Sequence, residues 1–374
     1  MRAVVFQGVG KISVEQRPRP QVQDQRDVIL KVSVAALCGS DLHWYRGHQT
    51  LPTGFIPGHE FVGTVHELGS EVKGFSRGDV VVMKLTTSRQ PFLRSVAIVS
   101  IAGGNRQADA LVAFCLVREQ YIHFTVPFEL TEGATGNSAG TMSIDGGQAE
   151  YVRVPYATST LVHAPSSIPE NLLVLMADIF PTGYFCATRF LKQLSPDEAK
   201  SSVMAVVGCG PVGICAIATA LTRCDTVFAI DMVPERLIEA ERLGARPLLL
   251  TESPAEAVKA VTDGRGADIV LEVVGTLDAM RLCINLVRPF GSISSVGVQT
   301  EQIALEGPVL YGKNVTIAWG RCPVRGIFED ALECLGKVQA QVAFLCDRSM
   351  KFEQAAEAYQ LFNDRKVHKL LLKP

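Results

Sequence analysis

Residues 206–213, VVGCGPVG, close the apolar run VMAVVG and open the helical stretch PVGICAIATALTRC. A glycine loop between a buried strand and a helix is the arrangement that holds a dinucleotide pyrophosphate at a helix N-terminus. In that arrangement Gly208 allows the tight turn, Gly210 lets backbone N–H groups approach the phosphates, and Gly213 lets helix and strand pack closely. Pro211 and Val212 complete the loop and count with it as cofactor-binding residues. G-x-G-x-x-G alone is weak evidence, because glycines also serve turns that bind nothing. Here the following strand, TVFAID, ends at Asp231, 18 residues past Gly213. A carboxylate at that point grips the adenosine ribose hydroxyls and repels a 2′-phosphate, so NAD is expected rather than NADP. Arg236 is expected to be a solvated helix residue.

Outward from the loop, residues 200–320 alternate apolar strands (VMAVVG, TVFAID, ADIVLEV, SISSVGV) with helical stretches (VPERLIEAERLG, TLDAMRLCINLV). Continuous apolar strands separated by helices predict a parallel doubly wound sheet. Residues 1–80 have another rhythm: RAVVF, DVILKVSVAAL, EFVGTVHELG and DVVVMK are short β-like runs punctuated by Gly and Pro, as in an antiparallel unit. The tail reads as helices around Ile327–Val338 and Phe352–Asn363 and a strand KVHKLLLK, expected to pack back on the first unit.

The chain has 374 residues, 47% hydrophobic and 20% charged, enough for two cores. A net charge of −2 and a pI near 6.4 give no electrostatic reason to expect nucleic acid or an anionic membrane as partner. No stretch reaches 18 uninterrupted apolar residues and the N-terminus lacks the pattern of a signal peptide, so the expectation is a cytoplasmic protein. The ten cysteines are scattered without a C-x-x-C pair and read as reduced thiols.

One of them stands apart. Residues 37–43, LCGSDLH, place Cys38 among small and polar residues, and His59 with Glu60 follows 21 residues later in PGHE. Asp178 lies inside the apolar run LMADIFPTGYF, where a carboxylate is costly unless paired or bound to a metal. Cys, His and carboxylate are three ligands that zinc accepts, and three leave a fourth position open, the mark of a catalytic site. Glu60 could be an alternative ligand or sit just behind the metal. Zinc has no redox role, so it would act as a Lewis acid on an alcohol oxygen while hydride leaves for the nicotinamide. Ser40 could take the hydroxyl proton and His43 pass it to solvent, with Asp41 orienting a ligand histidine. The plainer alternative for Ser40, Asp41 and His43 is a polar turn that caps the next segment. Trp44, Tyr45 and Phe55 suit either a substrate pocket or barrel packing. His48, His66, His123, His163 and His368 are read as surface or structural.

With these residues, the sequence resembles the zinc-containing medium-chain dehydrogenases, the alcohol dehydrogenase family, and within them the branch similar to glutathione-independent formaldehyde dehydrogenases. The matching stretches are CGSDLH, GFIPGHEFVGTVHELGSEV, GDVVV, DGGQAEYVRVP, ADIFPTGYF, VVGCGPVG, DMVPERL, EVVG, SSVGV and WGRCPVR. The resemblance implies an α/β protein: a GroES-like distorted β-barrel catalytic domain over residues 1–179, a Rossmann domain over 180–320, and a return to the catalytic domain over 321–374. It also implies Cys38, His59 and Asp178 as zinc ligands with Glu60 beside the metal. Thr182 and Val296 fall near the nicotinamide, and Ser40 and His43 pass the proton through the cofactor ribose. The implied reaction takes small-molecule alcohols or aldehydes, and the implied assembly is a dimer or tetramer of identical chains.

Residues 84–144 depart from the family pattern. Many members hold a second, structural zinc there with four closely spaced cysteines, whereas this segment contains one, Cys115. The expectation is therefore one zinc per chain, and the segment reads as an altered loop, an insertion, or a gene model that crosses an intron. The rival functions are a zinc-free reductase of activated alkenes, weakened by the full ligand set, and a catalytically silent nucleotide-binding protein.

Overall fold

The computed structural model describes residues 1–84, 145–299 and 302–374. The segment 85–144, with Cys115 and His123, lies outside them. Six parallel strands form one sheet, in the order Arg246–Leu249, Thr226–Asp231, Val203–Val207, Ala267–Glu272, Val287–Ser295 and Thr316–Trp319. The central strands are buried along almost their whole length, because helices cover both faces. The strand order reverses between Val203–Val207 and Ala267–Glu272, and the glycine loop leaves the sheet at that switch point, the place where open α/β sheets bind their ligands. The two edge strands are short and half-exposed, so neither produced an apolar run that the sequence could announce.

Among the described residues the second large sheet has seven strands. Its path runs Ser349–Lys351, Leu371–Lys373, Val28–Ala36, Phe61–Leu68, Val80–Met83 and Leu161–His163, with Tyr151–Val154 also pairing Val28–Ala36. Arg2–Gly8 and Lys11–Gln16 form a separate antiparallel pair. The tail strand enters this sheet by pairing Leu371 with Ala36, which ties the end of the chain to its beginning. That strand is shorter than KVHKLLLK suggests: only Leu371–Lys373 join the ladder, while His368 and Lys369 ahead of it turn their side chains to partners elsewhere. The helix before it begins at Ala355, after a 3-10 turn at Phe352–Gln354, and the other tail helix runs over Val324–Val342.

Helix Ile179–Leu191 lies between the two sheets in sequence and packs on the glycine-loop helix Pro211–Ala220. Gly183 makes the approach possible, since a Cβ there would lie 2.7 Å from the backbone nitrogen of Ala216. This helix meets the preceding helical segment Glu170–Ala177 at a 57° bend, and Asp178 sits at the bend. Among the described residues no single helix is long and apolar enough to cross a membrane, although this bent pair is apolar enough by length and composition. Most of its residues are buried.

Candidate metal and cofactor site

Strand Val28–Ala36 delivers Cys38 just past its end, and strand Phe61–Leu68 begins just after His59 and Glu60. The two strands are antiparallel partners, Ala35 opposite Phe61, and the Ala36 N–H donates to the Glu60 carbonyl at 3.0 Å. The register therefore sets Cys38 beside His59, residues 21 apart in sequence. The bend at Asp178 brings in a carboxylate from the other side. One ligand atom from each of Cys38, His59, Glu60 and Asp178 lies within 4.8 Å of all the others.

His59 Nε2 is 3.4 Å from Asp178 Oδ2, and Cys38 Sγ is 3.7 Å from the same oxygen. The Thr182 hydroxyl donates to Asp178 Oδ1 at 3.0 Å, one helical turn on, and fixes the carboxylate. Asp41, itself buried, accepts the Cys38 N–H at 3.0 Å, and its other oxygen lies 3.7 Å from His59 Nδ1. One side chain thus orients two of the clustered residues, as carboxylates behind metal-binding histidines do. The Ser40 hydroxyl stands 3.4 Å from His59 Nε2 and does not cap the short helix Asp41–Tyr45.

Burial pushes the Cys38 thiol up, and Glu60 adds to that while His59 opposes it. For His59, burial works to lower the pKa, but Cys38, Asp178 and Asp41 together raise it well above the usual imidazole value. Burial likewise works to raise Asp178, and its bonds to His59 and Thr182 hold it below the usual carboxylate range. Glu60 is fully buried against Lys369 through Oε2, while its Oε1 has no hydrogen-bond partner. Burying a thiol, an imidazole and two carboxyl groups this close together is costly while a polar atom among them, Glu60 Oε1, lacks a partner. The sulfur, nitrogen and oxygen donors are those that zinc accepts, and the orphaned Glu60 oxygen is of the same kind, so the residues present fit the metal.

His43 stands further out, half-buried, with its ring centroid 6.1 Å from that of exposed His48. Burial, then His48 and Arg46, lower its pKa. Trp44, Tyr45 and Phe55 join Phe6 and Tyr359 in an aromatic cluster, so barrel packing accounts for them.

At the glycine loop, Gly208 has φ +99 and a Cβ there would lie 2.7 Å from Val274 Cγ2. Gly213 can carry no side chain, since its Cβ would lie 1.9 Å from the Gly208 carbonyl oxygen. The space beside Gly210 is open, with Arg236 Nη1 the nearest atom at 3.9 Å. Asp231 accepts the Cys209 N–H at 2.7 Å and the Val233 N–H at 2.9 Å. Arg236 is not the solvated residue expected: its Nη1 is 3.6 Å from Asp231 Oδ2, because one helical turn from the strand end folds it back over the loop. Val296, just past the end of strand Val287–Ser295, donates its N–H to the Glu272 carbonyl at 3.0 Å.

Near these residues, sequence reasoning passed over the buried side chains of Glu272 and Lys369. Glu272 accepts N–H groups from Val274 and Gly275 and the Ser295 hydroxyl, which ties together the two turns beyond their strands. Its signal was the carboxylate closing an apolar strand in EVVG. Lys369 was the other, and its signal was a lysine ahead of LLL.

A strand–glycine loop–helix unit together with a buried Cys-His-carboxylate cluster is the combination expected of a metal-dependent dehydrogenase, and comparison with known proteins agrees. Residues 24–166 match the alcohol dehydrogenase GroES-like domain and residues 211–337 the zinc-binding dehydrogenase domain. Zinc-type alcohol dehydrogenase B of Aspergillus flavus is 42% identical over 377 residues, covering 100% of this chain and 81% of that protein. The glutathione-independent formaldehyde dehydrogenase of Pseudomonas aeruginosa is 31% identical over 290 residues, with coverage of 73% and 65%. Among solved structures, the alcohol dehydrogenase TADH from Thermus sp. ATN1 superposes with a TM-score of 0.81 at 30% identity, covering 100% of both chains. The chain belongs to the zinc-containing medium-chain alcohol dehydrogenase family and is a zinc-dependent oxidoreductase.

Proposed function

We propose that this chain interconverts an alcohol and its carbonyl compound with NAD(H) as the redox partner. The observation that carries the reading is the cluster of Cys38, His59, Glu60 and Asp178, joined to the glycine loop by helix Ile179–Leu191, which starts at Asp178 and packs on Pro211–Ala220. When bound, zinc supplies Lewis acidity toward the substrate oxygen and the nicotinamide supplies the hydride acceptor. Cys38, His59 and Asp178 hold the metal, and Glu60 stands beside it. Asp41 orients His59, and Thr182 keeps one Asp178 oxygen occupied so that the other faces His59. Ser40 accepts the substrate hydroxyl proton as its own hydroxyl proton passes on toward His43, which stands at the edge of solvent and releases it.

Gly208, Gly210, Pro211, Val212 and Gly213 receive the pyrophosphate, while Thr182 and Val296 flank the nicotinamide. Asp231 receives the adenosine ribose and favours NAD over NADP. Residues 1–179 and 321–374 would form the catalytic domain and 180–320 the nucleotide domain. The nine described cysteines are all free thiols, which supports a cytoplasmic setting. A homo-oligomer is supported by the strand Thr316–Trp319, which has no outer neighbour among the described residues, and by the helix Gly307–Lys313, which has no buried residue and leaves Tyr311 88% exposed. The test is a panel of alcohols with NAD or NADP, and of aldehydes with the reduced forms, followed by nicotinamide absorbance. Binding of NADH with no turnover across the panel would point instead to a catalytically silent nucleotide-binding protein.

A further inference from the structure

The glycine loop is held from outside its own sheet. His368 lies in the tail between helix Ala355–Asn363 and strand Leu371–Lys373, and its side chain is 9% exposed. Its Nε2 is 2.8 Å from the carbonyl oxygen of Cys209, and its Nδ1 is hydrogen-bonded to the Glu239 carboxylate on the helix after Asp231. A carbonyl oxygen only accepts, so Nε2 donates to Cys209. Cys209 is the residue between Gly208 and Gly210, and its own N–H donates to Asp231 at 2.7 Å. Both backbone groups of this one loop residue are therefore gripped by side chains, one from the parallel sheet and one from the tail.

The Cys209 carbonyl belongs to the peptide whose N–H is that of Gly210, and no described peptide bond is cis. In a trans peptide the two groups point in opposite directions. A ring that fixes the carbonyl on one side therefore aims the Gly210 N–H to the other.

We propose that His368 is a positioning residue for dinucleotide binding: from the chain's tail it sets the Cys209–Gly210 peptide so that the Gly210 N–H meets the cofactor pyrophosphate. The inference rests on the reading of the glycine loop as a dinucleotide site. It goes beyond that reading in assigning to the tail a share in cofactor affinity.

The test compares wild type, His368→Ala and His368→Gln for binding of NADH, of ADP-ribose, and of adenosine, which has no pyrophosphate. Zinc content and thermal midpoint are measured alongside. Loss of this hydrogen bond is expected to raise the Kd of NADH and ADP-ribose in His368→Ala by about tenfold. Adenosine Kd, zinc content and midpoint should stay close to wild type. His368→Gln keeps a donor and should recover most of the affinity. Glu239→Ala frees the ring from the helix side without altering the buried tail, and should raise the same two Kd values by about threefold or more.

Folded His368→Ala that binds NADH within about twofold of wild type would overturn the proposal. So would an equal loss for adenosine accompanied by falling zinc and midpoint, with no recovery in His368→Gln, since that is the signature of packing alone. If His368→Ala does not fold, unchanged NADH and ADP-ribose affinity in Glu239→Ala overturns it. A wild-type chain that binds neither NADH nor ADP-ribose would overturn the dinucleotide reading, and this inference with it.

Discussion

The Lys369 ammonium is buried against the Glu60 carboxylate, 309 residues away in sequence, with side chains 1% and 0% exposed. Burial works to lower the Lys369 pKa, and Glu60, with Cys38 and Asp178 behind it, raises it above the usual ammonium value. A charge pair of this kind costs more to break than it contributes whole, because removing one partner strands the other in a dry interior. Lys369→Met should therefore destabilise the fold by about 3–5 kcal/mol. Urea unfolding of zinc-loaded protein measures it. Glu60→Gln combined with Lys369→Met should recover a large part of that loss. A single variant as stable as wild type would show that the pair is not closed in solution.

Removing a clustered residue should separate chemistry from cofactor binding. Cys38→Ala or His59→Ala is expected to abolish alcohol oxidation, since the Lewis-acid contribution is worth several kcal/mol. NADH binding should persist, because the glycine loop belongs to the other sheet. Ser40→Ala removes only the first step of the proton route, so its kcat should fall less than that of either ligand variant. Steady-state turnover and NADH fluorescence on the same preparations check all three. Near-normal turnover in Cys38→Ala or His59→Ala would exclude the cluster as the catalytic metal site.

Asp231 is expected to carry two effects that one substitution can divide. Its charge disfavours a 2′-phosphate, and its oxygens hold the Cys209 and Val233 N–H groups at 2.7 and 2.9 Å. Asp231→Ser should narrow the ratio of kcat/KM for NAD over NADP and also lower kcat/KM for NAD itself, because the loop loses its backbone anchors. Asp231→Asn keeps part of the anchoring and should narrow the ratio with a smaller loss for NAD. Faster turnover of NADP than NAD by the unaltered chain would contradict the assignment.

The parallel sheet was legible because strands buried on both faces read as unbroken apolar runs, and because the glycine spacing sits where a strand must hand over to a helix. The edge strands Arg246–Leu249 and Thr316–Trp319 left no such run, being half-exposed. Cys38, His59, Glu60 and Asp178 could be singled out by chemistry alone, since a carboxylate in LMADIF and a thiol in LCGSD are poor packing residues. Their mutual approach depends on the Ala35–Phe61 register and the bend at Asp178, neither of which is written in local spacing. The partners of Lys369 and His368 were illegible for the same reason, since they lie 309 and 159 residues away. Arg236 was misread because a charged residue one turn into an amphipathic helix is usually solvated, and here the strand end lies within its reach.

The last prediction is a metal count: one zinc per chain. Among the described residues one group of thiol, imidazole and carboxylate donors converges, at Cys38, His59, Glu60 and Asp178. A closed structural site needs four ligands, usually thiolates at short spacings such as C-x-x-C, so that one loop can wrap the ion. Between Lys84 and Ile144 the sequence holds one cysteine, Cys115, and one histidine, His123, with seven residues between them. Glu119, Glu129 and Asp109 do not complete a set of that kind. Metal analysis of protein purified without added zinc should give about one equivalent, and Cys38→Ala should lose it. Two equivalents, one of them surviving in Cys38→Ala, would place a second site outside the cluster and overturn the count.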